Sequence, residues 1–185
     1  MTYNQGNQSD GKHYWLTPPD LYKLLDDEFH FTFDPCPYPL PSNFDGLEME
    51  WQSSNYVNPP FGGYVHKGKK CGPTAWARKA IEEYKKGKRV VLVYPIDKWI
   101  HMLLEAGAEV RNLKDVKWCA TEDGEPGPGT GRWVAAFVLD PDKSNETQTE
   151  KLLAAYKNLS ETWKLRVYEL EQDISKMIEC KESKP

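Results

Sequence analysis

Apolar runs separated by amphipathic segments predict strands that alternate with helices. The run at 89–94 is almost entirely apolar and predicts a buried strand, and residues 133–139 predict another. Shorter strands are predicted at 30–33, where apolar and polar residues alternate, and at 54–57. A further strand is expected near 116–118.

Three helices are predicted between these strands, at 17–28, 73–86 and 97–106. Thr17 precedes two prolines, a pattern typical of a helix N-terminus with Thr17 as the N-cap. The second helix repeats apolar residues at helical spacing, so one face should pack on the sheet. The alternation predicts an α/β fold whose sheet is at least partly parallel.

The chain divides into three predicted regions. Residues 1–12 are polar and predict a flexible N-terminus, and residues 13–142 predict a single α/β domain. Residues 145–180 read as one long helix with apolar residues three and four positions apart. That helix is expected either to form a homodimer through a coiled coil or to pack back on the domain. Loops are predicted at 36–50, 62–73 and 122–131.

Composition limits the function classes. Of the 185 residues, 39% are hydrophobic, which is typical of a globular domain. No apolar run reaches the length of a membrane span and no signal peptide is recognisable, so we expect a cytoplasmic protein without a membrane partner. The four cysteines are widely spaced and lack a C-x-x-C pair, so we expect reduced thiols and no metal site.

Charge is unevenly distributed along the chain. The net charge is −4, yet residues 62–89 carry nine Lys or Arg and only two Glu. Such a block can bind a polyanion, or it can be the solvated face of a helix, which is the better interpretation for 85–89. In the loop at 62–73 we predict nucleic-acid contacts, with simple solvation as the alternative, from His66, Lys67, Lys69 and Lys70.

The tetrapeptide Asn58-Pro59-Pro60-Phe61 follows a predicted strand and carries the most specific chemistry. The prolines stiffen the turn and remove backbone donors. The Asn58 side-chain oxygen and the Pro59 carbonyl are then available to accept both hydrogens of an exocyclic amino group. Phe61 offers a ring on which a base can stack. The alternative is a proline-rich turn that caps the strand, with Phe61 in the core.

Asp34 directly follows the predicted strand at 30–33, at the edge where α/β sheets bind ligands. Its carboxylate is suited to accept hydrogen bonds from ribose hydroxyls or an ammonium group, although Asp-Pro after a strand is often only a turn. The chain has no G-x-G-x-x-G pattern and no phosphate-binding loop. A nicotinamide dinucleotide or ATP is therefore not expected.

Taken together, four short motifs within residues 14–63 resemble the phage-type DNA N-6-adenine methyltransferases. In chain order they are Trp15-x-Thr17-Pro18, Phe31-x-Phe33-Asp34, Asp45-Gly46-Leu47-x-x-x-Trp51 and Asn58-Pro59-Pro60-Phe61-Gly62. The resemblance implies a reduced Rossmann-like class I methyltransferase sheet with helices on both faces, followed by the long C-terminal helix. It also implies a phage or prophage origin.

The resemblance further implies S-adenosyl-L-methionine as the cofactor and DNA as the partner. The catalytic residues would be Asn58 to Phe61, acting on an adenine flipped out of the stack. The cofactor would contact Trp15, Thr17, Pro18, Asp34, Pro35 and Asn58. The same turn is also compatible with methylation of RNA, of cytosine N-4 or of a glutamine side chain. A non-catalytic nucleic-acid-binding protein and a structural protein assembled by the 145–180 helix are the remaining alternatives.

Overall fold

The computed structural model describes residues 11–61, 64–66 and 68–143. The predicted helix at 145–180 and most of the predicted flexible N-terminus lie outside the described residues. The described elements belong to one unit that ends at Asp142. In chain order they are β1 (Tyr14–Leu16), α1 (Pro19–Phe29), β2 (Ser54–Val57), β3 (Tyr64–His66), β4 (Lys69–Cys71), α2 (Pro73–Lys85), β5 (Arg89–Pro95), a 3-10 turn (Lys98–Ile100), α3 (His101–Glu105), β6 (Glu109–Lys114), β7 (Cys119–Ala120) and β8 (Val134–Leu139).

The central sheet has four strands in the order β2-β5-β8-β6. Strands β2 and β5 are parallel, and β8 is antiparallel to both β5 and β6. Phe33 adds a parallel bridge to Asn55 on the outer side of β2. The prediction of an α/β fold with a partly parallel sheet is therefore confirmed in its coarse form, as a mixed sheet with three α-helices among the described residues.

The sheet is covered on both faces. Alternate residues of β5 point to opposite sides, because side chains along a strand have a period of two. Leu92 packs in a cluster with Trp76 of α2, whereas Val91 packs in a second cluster with Phe29 of α1. Burying each such side chain stabilises the fold by roughly 1.5–3 kcal/mol. The continuous apolar run of β5 thus reflects burial on two sides.

The parallel pair is aligned by a buried asparagine. Asn55 is fully buried, and its amide nitrogen donates to the carbonyl of Arg89 at 2.8 Å. Its side-chain oxygen accepts from the backbone N–H of Gln52 at 2.9 Å. Since a buried amide must find partners, these bonds fix the start of β2 against the start of β5. The carboxyl ends of both strands are consequently brought to the same edge.

Several predicted strands differ from the observed ones. The predicted strand at 30–33 contributes only the bridge at Phe33. The predicted strand near 116–118 is absent; the ladder strand is β6, whose residues are mostly exposed. A mostly exposed edge strand has few apolar residues, so its sequence pattern is weak. Val116 and Trp118 are buried in the core without belonging to a strand, which explains the apolar residues at these positions. The predicted loop at 62–73 contains a hairpin of β3 and β4.

The start of α1 also differs from the prediction. Pro18 is the N-cap residue, and no side chain caps the helix. Thr17 is not the N-cap because its hydroxyl is hydrogen-bonded to Tyr56 and Asn58 instead. The other helices begin and end close to the predicted residues.

Within the described part of the chain, no helix has the length and apolar character needed to span a membrane.

Candidate active site

The predicted catalytic turn begins where β2 ends, at the carboxyl edge of the parallel pair. The hydroxyl of Tyr94, near the end of β5, donates to the carbonyl of Pro60 at 3.3 Å. This bond couples the turn to the neighbouring strand. In α/β sheets, this edge is where ligands bind.

Asn58 is held from outside the turn. Its amide nitrogen donates to the carbonyl of Trp15 at 2.9 Å and to the hydroxyl of Thr17 at 3.2 Å. Because a backbone carbonyl only accepts, the nitrogen must face Trp15 and the side-chain oxygen must face the other way. That oxygen is buried and has no hydrogen-bond partner among the described residues. An unpaired buried acceptor costs about 1–3 kcal/mol, so this atom is suited to a donor that the described part of the chain does not supply.

Tyr56 completes the support of Asn58. Its hydroxyl is hydrogen-bonded to the hydroxyl of Thr17, which in turn accepts from Asn58. Burial raises the pKa of Tyr56 well above its usual value. The phenol is therefore neutral at physiological pH and acts as a fixed support, not as a base.

Asp34 lies at the end of the neighbouring segment, next to the bridge at Phe33. Burial raises the pKa of Asp34 to about 6, although the backbone N–H of Cys36 donates to its Oδ1 at 2.7 Å and acts in the opposite direction. A half-buried carboxylate with one hydrogen bond gains from a cationic or hydroxyl-rich ligand. Asp34 therefore has the chemistry of a ligand anchor.

These residues share one cavity of about 290 Å³. This volume is at the lower end of the range for small-molecule sites. Four of its twelve lining residues are aromatic and three are prolines, with one carboxylate and one amide among the rest. The lining residues are Trp15, Leu16, Thr17, Tyr22, Asp34, Cys36, Pro37, Tyr38, Tyr56, Asn58, Pro59 and Pro60. Such a cavity suits a ligand with a flat ring and a polar or cationic group.

The structure thus brings together most of the residues predicted for the cofactor and the turn. Trp15, Thr17, Asp34 and Asn58 all line the cavity, whereas Pro18 and Pro35 are not among its lining residues. Phe61 is also outside the lining.

The ring of Phe61 packs edge-on against two aromatic side chains. Its centroid lies 5.1 Å from that of Tyr94 and 4.9 Å from that of Trp118. These contacts connect Phe61 to both apolar clusters, and the residue remains half-exposed. The stacking of a base on Phe61 stays a prediction.

Sequence reasoning did not single out three tyrosines that line the cavity. Tyr56 appeared only as a strand residue, and Tyr22 only as a position on the first predicted helix. Tyr38 lies in the proline-rich loop, where no periodicity indicates which side chains turn inward. Its ring meets that of Trp15 at a centroid distance of 6.0 Å. The only sequence pattern that indicates these cavity-lining tyrosines is the clustering of aromatic residues before the turn.

The predicted nucleic-acid residues are placed less clearly. Lys67 lies outside the described residues, and Lys69 and Lys70 belong to β4. The ring of His66 lies between two carboxylates, with Nδ1 2.8 Å from Asp45 and Nε2 3.8 Å from Glu48. Neighbouring negative charge disfavours phosphate at His66 itself. The nucleic-acid role of these four residues stays a prediction.

The same three side chains are a possible metal-ligand set. Asp45, Glu48 and His66 each offer one ligand atom, and these atoms lie within 4.8 Å of one another. The Glu48 side chain is 46% exposed, and Asp45 and His66 already interact directly. We interpret the cluster as polar contacts that fix the β3–β4 hairpin to the preceding loop.

Much of the basic block is neutralised within the fold. Glu83 of α2 is fully buried and accepts from Lys79, Lys86 and Lys88 at 2.7–2.8 Å. Arg89 donates to Asp142 at 2.8 Å. These cations stabilise the fold, so they contribute less to a polyanion surface than their number in the sequence indicates.

Comparisons of the chain with protein-family models, with curated proteins and with solved structures found no match. The geometry around Asn58 and Asp34 is therefore the main guide to function. The methyltransferase resemblance stays a prediction from the motifs.

Proposed function

We propose that this chain is an S-adenosyl-L-methionine-dependent methyltransferase that acts on the N-6 amino group of adenine in DNA. The observation that carries the proposal is the buried side-chain oxygen of Asn58, which lies at the carboxyl edge of two parallel strands and has no partner among residues 11–61, 64–66 and 68–143. An amino group is the natural partner for that oxygen, because it donates two hydrogens and the neighbouring Pro59 carbonyl is a second acceptor.

The sheet is compatible with the reduced Rossmann-like class I fold that the motifs predict. Phe33, β2, β5 and β6 run in one direction, and β8 runs in the other between β5 and β6. Asp34 and Asn58 follow adjacent parallel segments, so their side chains come together at one edge. This arrangement supports a cofactor site beside an acceptor site.

The residues present fit the proposed cofactor. Asp34 would accept hydrogen bonds from the ribose hydroxyls or the ammonium group of the cofactor. The rings of Trp15 and Tyr22 would contact the flat faces of its adenine ring. When bound, the cofactor would supply an electrophilic methyl group. The partly neutral state of Asp34 without a ligand fits an anchor whose charge is stabilised by binding a cation.

The chain's own part in the reaction is to position the acceptor. Asn58 Oδ1 and the Pro59 carbonyl would hold the two amino hydrogens and thereby direct the nitrogen lone pair toward the methyl group. Tyr56 and Thr17 would keep Asn58 in this orientation. Orientation alone supplies much of the rate enhancement in such transfers. The proton leaves the nitrogen after methyl transfer, so no strong base is required.

The test is transfer of tritiated methyl from S-adenosyl-L-methionine to unmethylated DNA, followed by nucleoside analysis. We expect label in N-6-methyladenine, and loss of at least a hundredfold in rate for Asn58→Ala with cofactor binding retained. Asn112→Ala is the matched control, because Asn112 lies on exposed β6. Near-normal turnover of Asn58→Ala would rule out the assigned turn.

The other acceptors are distinguished by the same assay. Label in N-4-methylcytosine, in RNA or in protein glutamine would keep the turn and change the substrate. A chain that binds nucleic acid but no cofactor would be a non-catalytic binding protein. The homodimer through residues 145–180 stays a prediction, which sedimentation of the full chain against a chain truncated after Lys143 would test.

A further inference from the structure

Two groups of the segment before α1 hold the side-chain amide of Asn58, and they are supported differently. The hydroxyl of Thr17 is also hydrogen-bonded to Tyr56, so it is fixed from the central sheet. The backbone carbonyl of Trp15, which accepts from Asn58 at 2.9 Å, belongs to β1. This carbonyl can direct the Asn58 amide only while β1 keeps its place, so the contacts that hold β1 bear on the candidate active site.

Strand β1 lies outside the central sheet. In the part of the chain that the structure describes, its one strand partner is β7, and the two form a sheet of their own. Tyr14 is paired with Ala120 and Leu16 with Cys119, with a shift of register between the pairs. Two strands paired alone are only marginally stable in water. The ladder by itself is therefore a weak support for the Trp15 carbonyl.

Glu122 supplements this ladder just beyond its end. Its carboxylate accepts from the backbone N–H of His13 at 3.1 Å and lies 2.6 Å from Nδ1 of the same residue. Hydrogen bonds from His13 lower the pKa of Glu122 to about 2, so the carboxylate is ionised and Nδ1 is the donor. The backbone N–H of Thr121 donates to the carbonyl of His13 at 2.9 Å. Both backbone groups of His13, two positions before Trp15, are thus held by this loop.

The rest of the loop at 119–127 contacts the same segment and is itself fixed to the core. Lys12 forms a salt bridge with Asp123 beside His13. Gly127 approaches the ring of Tyr14 so closely that a Cβ there would lie 2.5 Å from it. The N–H of Gly127 also donates to the carbonyl of the buried Trp118 at 2.8 Å. Glu122 therefore ties the backbone before β1 to a part of the structure that is well anchored.

We infer that Glu122 is a positioning residue for the methyl-transfer reaction and acts on Asn58 through β1, from outside the cavity. The inference rests on the proposed function, because it names a further residue of the same site. With Glu122 in place, the Trp15 carbonyl accepts from Nδ2 of Asn58, and Oδ1 faces the acceptor amino group. Without it, residues 12–16 open locally from 119–123, and the Asn58 amide loses a bond that fixes its orientation.

The experiment compares Glu122→Ala and Glu122→Gln with wild type in single-turnover methyl transfer. It uses the acceptor that wild type methylates, expected to be unmethylated DNA, at saturating S-adenosyl-L-methionine, so that weaker cofactor binding does not affect the rate. We expect the alanine variant to transfer about tenfold more slowly, or slower still. Glu125→Ala, which changes an exposed carboxylate in the same loop, is the matched control and should transfer like wild type.

Glutamine tests whether the hydrogen bonds to His13 are the cause. Its oxygen can accept from the backbone N–H, and its amide can donate to Nδ1 once the ring hydrogen moves to Nε2. Glu122→Gln should therefore restore the transfer rate to within about threefold of wild type. A glutamine variant as slow as the alanine variant would overturn the inference.

Amide hydrogen exchange at Thr121 reports on the β1 segment independently of activity. Because this N–H donates to the His13 carbonyl, Glu122→Ala should speed its exchange by about tenfold, while the amide of Val91 in β5 keeps its rate. Urea unfolding should be nearly unchanged, since β1 and β7 lie outside the central sheet. A purely structural role predicts the opposite result, which is a lower unfolding midpoint with an unchanged transfer rate per folded molecule.

The outcomes separate this inference from the proposed function. Unchanged transfer by Glu122→Ala, with wild type active, would overturn the positioning role and leave the proposed function standing. Unchanged exchange at Thr121 would overturn it as well, because β1 would then not depend on Glu122. Absence of methyl transfer from wild type to any acceptor would remove the proposed function and the inference with it.

Discussion

The side-chain amide of Asn58 is held by the hydroxyl of Thr17, which lies 41 positions earlier in the chain, with Nδ2 and Oγ1 3.2 Å apart. The same hydroxyl is hydrogen-bonded to Tyr56. The prolines of the turn fix the backbone of the site, but these bonds fix the direction of its one side-chain acceptor. The segment before α1 is therefore part of the candidate active site and not merely a lead into the helix.

Replacing Thr17 by valine should slow methyl transfer by about 10- to 100-fold. Valine keeps the shape but removes the hydroxyl, so Asn58 loses one of its two acceptors and its oxygen is free to reorient. Tyr56 also loses its partner, which adds a cost in stability of about 1 kcal/mol. Single-turnover transfer measures the first effect and urea unfolding the second.

Thr17→Ser provides the matched control, because serine keeps the hydroxyl at the same position. It should restore most of the transfer rate. If valine and serine variants transfer equally well, Thr17 does not position Asn58, and the carbonyl of Trp15 alone is sufficient.

A close contact between Gly46 and Pro35 supports the segment that carries Asp34. A Cβ added at Gly46 would lie 1.9 Å from the carbonyl oxygen of Pro35, next to Asp34. The carbonyl of Gly46 also accepts from the buried indole of Trp51 at 2.7 Å. Gly46→Ala must displace this loop, so we expect a loss of about 2 kcal/mol or more in the free energy of unfolding and weaker cofactor binding.

Gly72→Ala is the appropriate comparison. A Cβ at Gly72 meets nothing within 4 Å, and its φ of −132° suits any residue. It should change stability by less than about 1 kcal/mol. A Gly46→Ala variant as stable as Gly72→Ala would show that the loop yields without cost.

Glu83 tests whether the basic block is structural. Burial alone would raise the pKa of Glu83, but hydrogen bonds from Lys79, Lys86 and Lys88 lower it to about 2. Glu83→Gln leaves these lysines without their carboxylate and should lower the free energy of unfolding by roughly 2–3 kcal/mol at pH 7. Urea unfolding measures the change, and Glu105→Gln on the exposed end of α3 should be neutral.

The pH dependence gives an independent check on Glu83. Its folded pKa is below the ordinary value of 4.5, so the stabilisation is fully present above pH 4.5 and is lost as pH falls toward about 2. The difference between wild type and Glu83→Gln should therefore shrink between pH 5 and pH 3. A constant difference would mean that the variant acts through packing and not through charge.

The sequence predicts those parts of the fold that strong local signals determine. Apolar runs define β5 and β8, and helical spacing with a leading proline defines α2. Strand β6 was missed because an exposed edge strand mixes charged and apolar residues. Thr17 was assigned to a helix cap because its tertiary partner Tyr56 is far away in sequence.

The same distinction holds for the candidate site. Asn58 and Asp34 can be predicted because each stands at the end of a strand-like run, and strand ends converge in an α/β sheet. The role of Glu83 as the common ion-pair partner of three lysines cannot be predicted, because charge counts do not reveal which cations contact a buried carboxylate. Tyr38 is similarly hidden in a loop without periodicity.

The ionised form of Asp34 is expected to lower the stability of the fold and to favour ligand binding. Burial raises its pKa to about 6 from an ordinary value of 3.8, so the native state binds more protons than the unfolded state between these values. The free energy of unfolding therefore falls as pH rises through this window, by up to about 3 kcal/mol. Asp34→Asn keeps an acceptor for the N–H of Cys36 but cannot ionise. Its stability should match wild type below pH 4 and exceed it above pH 6.

The same substitution should weaken cofactor binding, because the amide cannot attract an ammonium group as a carboxylate does. For wild type, we expect affinity for S-adenosyl-L-methionine to increase as pH rises through about 6 and to level off roughly one pH unit higher, since the ionised carboxylate is the binding form. Calorimetric titrations between pH 5 and pH 8, with urea unfolding at the same pH values, measure both effects. A variant that is more stable above pH 6 and binds the cofactor as well as wild type would show that Asp34 ionises at a cost to stability and does not bind the cofactor. A variant that gains no stability would show that the Asp34 carboxylate is better solvated than its burial indicates.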